Sequence, residues 1–239
     1  MVARPEPGAT ALVAQLHRAG WAAMAWPVMV IEPAQTPPHL SDSSQWVIYI
    51  SANAVRFALP RYPQLVALRS IAIGRATAAA LTAATGREPI TAPPPYNSEA
   101  ALQLPPLQPE AIAGESVTIV RGEGGREWLS QQLKQRGAEV NYLEVYRRRL
   151  PTASELPPLS EVQWQQIAAV VVTSGEVLQN LVQLVPPLKY QHRLKRPLVV
   201  ISEGMVQQAR QLGFAAEAIV LAANASSEAI IAALGAIFD

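Results

Sequence analysis

The sequence predicts an α/β fold of mainly parallel sheet, built as two related units. Three observations carry this. Short apolar strands alternate with amphipathic helical stretches along all 239 residues. The order of elements in the first half recurs in the second. Proline clusters (Pro37-Pro38, Pro93-Pro94-Pro95, Pro105-Pro106, Pro157-Pro158, Pro186-Pro187) punctuate the segments between them.

The first half begins with a short strand at Met1 to Arg4 and a helix over Ala9 to Ala19. An extended stretch from Trp26 to Glu32 follows, then a strand from Trp46 to Ser51 and a short helix. A strand from Ser70 to Gly74 feeds an Ala-rich helix from Arg75 to Ala84. In the second half, strand Val117 to Arg121 precedes helix Arg126 to Arg136, and strand Val140 to Arg148 follows. Next come strand Ala168 to Ser174 and a helix with Val177, Leu178, Leu181, Val182 and Val185 at helical spacing. Strand Leu198 to Ser202 and a helix through Leu212 come after it. The last helix starts near Ser226 and Ser227, with Glu228 in its first turn. The spacing of equivalent residues fits a duplication. Arg4 and Arg121 are as far apart as Gly20 and Gly137, and Ser51 and Ser174 are six residues farther. The extended stretches Pro27 to Pro33 and Leu143 to Pro151 occupy matching places and read as strands crossing between the units.

Composition narrows the function. Half the residues are apolar and 15% are charged, so a large core is available. A net charge of +1 argues against a protein that coats nucleic acid. Cysteine is absent, which excludes disulfides, thiolate catalysis and Cys-based metal sites. The longest apolar run, Ala22 to Ile31, is broken by Pro27 and is too short to span a bilayer. The start of the chain has no secretory apolar core, so the sequence reads as cytoplasmic, with no membrane partner. His17, His39 and His192 lack metal-ligand spacing and read as surface or loop residues.

The most informative stretch is Val117 to Pro151. Its first strand ends at Arg121 and opens into Gly122-Glu123-Gly124-Gly125, with Arg126 at the mouth of the next helix. Its second strand ends in Tyr146 and three arginines, Arg147 to Arg149. Fixed positive charge and one phenol at neighbouring strand ends suit a polyanionic small molecule and a proton transfer on it. The same residues equally describe a packed strand tyrosine among solvated arginines. Strand alternation puts Tyr146 on the side of Arg148, with Arg147 and Arg149 opposite. The glycine turn lacks both the P-loop ending and the third glycine of a dinucleotide fingerprint, yet its N–H groups would attract an anion. Ser51, Ser174 and Ser202 end strands, where open α/β sheets bind ligands, and each could simply cap a helix.

Six segments in order resemble uroporphyrinogen-III synthases. They are I-S-A-N-A-V at Ile50 to Val55, I-G-R-A-T-A at Ile73 to Ala78 and N-S-E-A-A-L at Asn97 to Leu102. R-G-E-G-G-R at Arg121 to Arg126, V-Y-R-R at Val145 to Arg148 and V-T-S at Val172 to Ser174 complete them. The chain departs from the family at Ala52, at Ile201 to Met205, and at Ala3 before Arg4. The resemblance implies two flavodoxin-like (Rossmann-like) parallel-sheet domains joined by a two-stranded β-ladder, with a cleft between them. Residues 1–33 plus 151–239 would form one domain and 34–150 the other. It implies a lyase of heme and tetrapyrrole biosynthesis that dehydrates and cyclises hydroxymethylbilane to uroporphyrinogen III, inverting the last ring through a spiro intermediate. Tyr146 would be the catalytic proton donor. Ser51, Asn53, Arg56, Thr77, Asn97, Ser98, Arg121, Gly122, Arg126, Arg147, Arg148 and Ser174 would bind the substrate. The implied enzyme needs no metal or cofactor, works as a monomer, and receives substrate by handover from hydroxymethylbilane synthase. A tetrapyrrole or small-anion binding protein of the same two-lobed form, or an assembly partner of other tetrapyrrole enzymes, would share these features.

Overall fold

The computed structural model describes residues 1–35, 39–185 and 196–238. The prolines at 37, 38, 186 and 187, and His192, lie outside the described residues. The chain divides into two compact units, Met1–Ile31 with Arg149–Asp239, and Glu32–Arg148.

In chain order the helices are α1 (Gly8–Arg18), α2 (Ala52–Ala58), α3 (Arg75–Thr85), α4 (Ser98–Ala101), α5 (Pro109–Ile112), α6 (Trp128–Gln135), α7 (Glu161–Gln166), α8 (Gly175–Leu184), α9 (Glu203–Gln211) and α10 (Ser227–Phe238). The strands are β1 (Val30–Pro33), β2 (Trp46–Tyr49), β3 (Arg69–Ala72), β4 (Ile90–Thr91), β5 (Ser116–Gly122), β6 (Glu139–Arg149), β7 (Val170–Val171), β8 (Leu198–Val200) and β9 (Ile219–Leu221).

A six-stranded sheet runs in the order β1-β6-β5-β2-β3-β4. Strand β2 lies at its centre, parallel to β3 and β5, with Trp46 opposite both Arg69 and Val117. All four residues of β2 are buried, as are all seven of β5. Central parallel strands are covered on both faces, so their sequences read as continuous apolar runs rather than alternating ones. On one face α4 and α6 bring Ala101, Leu102, Leu129 and Leu133 to Ile48, Ile71 and Ile119.

The other unit carries a parallel three-stranded sheet, β7-β8-β9. Strand alternation sorts its side chains between two cores. Val170, Val172, Leu198 and Val200 join Leu178, Leu181 and Ala209 of α8 and α9. Val171 and Val199 join Leu12, Leu16, Ile230 and Leu234 of α1 and α10.

The α/β reading holds, with corrections at element ends. The expected strand at Met1 to Arg4 is an isolated bridge from Val2 to Ala25 and Val171. Pro5, with no N–H, cannot extend that pairing. The helix expected from Arg126 starts at Trp128, because Gly124 and Gly125 both sit at positive φ (70° and 107°) and turn the chain first. The strand expected from Ala168 to Ser174 is reduced to Val170–Val171. Strands β4 and β9, of two and three residues, are too short to show a period in sequence.

Candidate functional site

Tyr146 is held by an irregularity between β5 and β6. Pairing runs in register from Ser116↔Glu139 to Arg121↔Glu144, then jumps to Gly122↔Tyr146. Val145 is thus an extra residue in β6, a bulge. Two successive residues, Val145 and Tyr146, are consequently both buried, at 0% and 1% exposure. The tyrosine ring lies directly against Gly122, where a Cβ would come within 2.5 Å of it. Glycine at 122 is required by this close approach, not by its φ. Phe57 of α2 also stacks on the ring, with centroids 5.8 Å apart and planes at 28°. The phenol oxygen lies 3.2 Å from Ser51 Oγ and accepts a hydrogen bond from Arg148 Nη2 at 3.1 Å.

Ser51 follows β2 in extended conformation (φ −158°, ψ 160°) and caps α2, its Oγ accepting from the Ala54 N–H at 3.1 Å. This satisfies one of the helix's orphan donors. Arg56 is exposed on α2, its guanidinium 5.1 Å from the Phe57 ring centroid. Arg148 is exposed, 5.5 Å from the Tyr146 centroid. Asn53 lies half-buried in the first turn of α2. The structure therefore gathers Ser51, Asn53, Arg56, Gly122, Tyr146 and Arg148 around the C-terminal ends of β2, β5 and β6.

Arg121 is placed differently. It is 6% exposed on a fully buried strand. Its Nε donates to Glu144 Oε1 at 3.0 Å and its Nη2 to Glu127 Oε1 at 3.0 Å. The guanidinium also lies 3.8 Å from the Tyr142 ring centroid. Burial pulls its pKa down, but the bonds to Glu144 and Glu127 outweigh burial and leave it raised. Glu127 is held below the usual carboxylate range by the Tyr142 hydroxyl first and then by Arg121. The Gly124 N–H donates to the same Glu144 oxygen at 3.2 Å. One N–H of the turn expected to attract a ligand anion thus bonds the protein's own carboxylate. A buried guanidinium without a partner would be costly, and Glu144 removes that cost from within the fold.

Beside this network is a cavity of about 260 Å³. Asn97, Ser98, Arg121, Arg126, Ser130 and Tyr142 supply its polar lining. Asn97 is already engaged as the cap of α4, accepting from the Ala100 N–H at 2.8 Å. Arg126 has an 84% exposed side chain with Glu99 at 3.8 Å. Thr77 is 4% exposed within α3. Arg147 is paired with Glu32, its Nε donating to Oε1 at 2.6 Å. Ser174 belongs to the other unit and caps α8 through the Val177 N–H.

Sequence reasoning missed Phe57, Glu144, Glu127 and Tyr142. Glu144 had no reliable signal, because the bulge at Val145 breaks the period-two alternation between it and Tyr146. Phe57 lies six residues beyond the serine cap and had none. Among the described residues, no group of three His, Asp or Glu side chains is placed to hold a metal. No described helix is long and apolar enough to cross a membrane.

The family model described as uroporphyrinogen-III synthase HemD matches residues 10–232. The chain is 36% identical to the uroporphyrinogen-III synthase of Escherichia coli K12 over 251 aligned residues, covering 98% of each chain. It is 37% identical to that of Salmonella typhimurium LT2, again over 98% of each. Among solved structures, a uroporphyrinogen-III synthetase from Helicobacter pylori superposes with a TM-score of 0.61 at 18% identity, covering 87% of this chain and 91% of that one. A mutant synthase from Thermus thermophilus gives 0.58 at 16%, covering 99% and 96%. At those identities the two structures speak for the α/β fold alone.

Proposed function

The chain belongs to the uroporphyrinogen-III synthase family, and from that premise we propose that it dehydrates and cyclises hydroxymethylbilane to uroporphyrinogen III with inversion of the last pyrrole ring. The observation that carries the reading is the phenol of Tyr146, buried and held between the Arg148 guanidinium and the Ser51 hydroxyl. Departure of the terminal hydroxyl as water needs a proton, and Tyr146 supplies it. Cyclisation then depends on folding the last ring so that it attacks through its substituted carbon, which is a matter of positioning.

The substrate's carboxylates call for exposed donors. Arg56, Arg126 and Arg148 present theirs at the surface, with Ser51, Asn53, Asn97 and Ser98 as neutral contacts. Arg121 serves instead as the fixed counter-charge that keeps Glu144 and the glycine turn in place. Strand β1 lies beside β6 at the edge of the six-stranded sheet, and the chain forms two compact units. The enzyme works as a cytoplasmic monomer. Direct handover from hydroxymethylbilane synthase suits a substrate that closes spontaneously to the type I isomer.

The test is isomer analysis. Purified protein is incubated with fresh hydroxymethylbilane, the products are oxidised, and type I and type III porphyrins are separated. Dominant type III is expected. Type I alone, formed at the spontaneous rate, would leave a binding protein of the same fold.

A further inference from the structure

We propose that the proton supplied by Tyr146 reaches the substrate through Ser51, so that Ser51 is the group touching the leaving hydroxyl and Tyr146 reloads it. The inference rests on the dehydration reading above and assigns its donor. Four hydrogen-bonding facts fix the direction of the chain.

A guanidinium only donates, so at 3.1 Å Arg148 Nη2 gives a proton to the phenol oxygen and that oxygen accepts. The phenol O–H must then find an acceptor, because Tyr146 is 1% exposed and a buried donor left unpaired is costly. Among the described residues, the acceptor within reach is Ser51 Oγ at 3.2 Å. Ser51 Oγ also accepts the Ala54 N–H at 3.1 Å. With both acceptor positions filled, the serine's own proton turns away from Tyr146 and from the helix. Ser51 is half-buried, and its O–H is the outward end of the chain. The order is Arg148 to Tyr146 to Ser51 to substrate.

The transfer balances. As the C–O bond of the hydroxymethyl group breaks, its oxygen keeps the bonding pair and takes the Ser51 proton, leaving as water. Ser51 takes the phenol proton, and the resulting phenolate stays beside the Arg148 guanidinium. When the last ring joins, its α-carbon sheds one proton on regaining aromaticity. That proton returns through Ser51 to the phenolate, and the net change is the loss of one water.

The experiment measures kcat and KM for Ser51→Ala, Ser51→Thr, Tyr146→Phe and the Ser51→Ala/Tyr146→Phe double variant, with isomer analysis of the wild type alongside. Ser202→Ala is the control for a lost serine cap. Ser51→Ala and Tyr146→Phe should each lower kcat on the order of 10²-fold with KM within about threefold, and the double variant should be no slower than the slower single, because both act on one chain. Ser51→Thr, which keeps a hydroxyl, should stay within about tenfold of wild type. If Ser51→Ala fails to fold, Ser51→Asn keeps a cap acceptor without a transferable hydroxyl proton and should show the same loss. Ser51→Ala within about threefold of wild type beside a crippled Tyr146→Phe would show that Tyr146 acts directly and sink the relay alone. Multiplied losses in the double variant would also sink it. Tyr146→Phe near wild type would remove the tyrosine's role, and the relay with it.

Discussion

Ser51 in one unit and Ser202 in the other make the same joint and end in different surroundings. Both follow a parallel strand, both sit at φ −158°, and both cap a helix by accepting an N–H three residues on, at 3.1 Å and 3.4 Å. Ser174 repeats the geometry a third time. Around Ser51 the fold adds a phenol, a guanidinium and a stacked phenylalanine. Near Ser174 the adjoining Gly175 meets a neutral amide, Gln208, whose Nε2 donates to the Gly175 carbonyl at 3.1 Å. A strand–serine–helix joint is therefore a capping device first. It becomes chemical only where a titratable neighbour shares the hydroxyl.

Tyr146→Phe tests that distinction most severely, because it leaves the cap and the packing while removing the phenol oxygen. Turnover should fall on the order of 10²-fold with little change in melting temperature. Turnover within about threefold of wild type, measured by type III product formation, would return Ser51 to the same standing as Ser202.

Next in size is the contrast between two arginines of the glycine turn. Arg121→Met strips the charge from between Glu144 and Glu127 and should cost about 2–4 kcal/mol of folding stability, since breaking a buried pair leaves its partners uncompensated. Part of that cost is screened, because Glu127 is about half exposed. Arg126→Met should change stability by about 0.5 kcal/mol or less, its side chain being 84% exposed and 3.8 Å from Glu99. It should instead raise KM. Urea denaturation of the two variants separates these roles, and equal destabilisation would contradict them.

Ser202→Ala is smaller again. Loss of the cap should cost about 1 kcal/mol, with turnover unchanged. Set beside Ser51→Ala, it subtracts the capping contribution and leaves the chemical one.

The residues show why parts of this site were legible and parts were not. Period-two alternation places Tyr146 beside Arg148, and the serines at strand ends announce caps. The buried role of Arg121 was hidden because its partner Glu144 lies 23 residues away on another strand. The same distance hid the bond from the Gly124 N–H to Glu144, which local sequence shows only as an open N–H group. The bulge at Val145 escaped as well. One extra residue leaves no mark in composition, yet it seats the ring on Gly122. The α/β class was carried by repeated strand–helix order, which survives errors at every element end. Strands of two residues carry no period to read.

Three consecutive arginines give the last contrast. Arg148 donates to a phenol, and Arg147 and Arg149 donate to carboxylates, Glu32 and Glu155. Glu155 is pulled down to about 2, by Arg149 first and then by the Thr152 N–H and hydroxyl. A carboxylate whose folded pKa is depressed adds stability above its unfolded value, near 4.5, and loses it as pH falls from there toward about 2. Glu155→Gln should therefore flatten the acid limb of the stability curve in that window and leave stability near pH 7 only slightly reduced, because the pair is exposed and screened by water. Turnover at neutral pH should not change. Thermal melts of wild type and variant between about pH 5 and 2 provide the check, and parallel acid limbs would mean that Arg149 holds Glu155 no more firmly than solvent does.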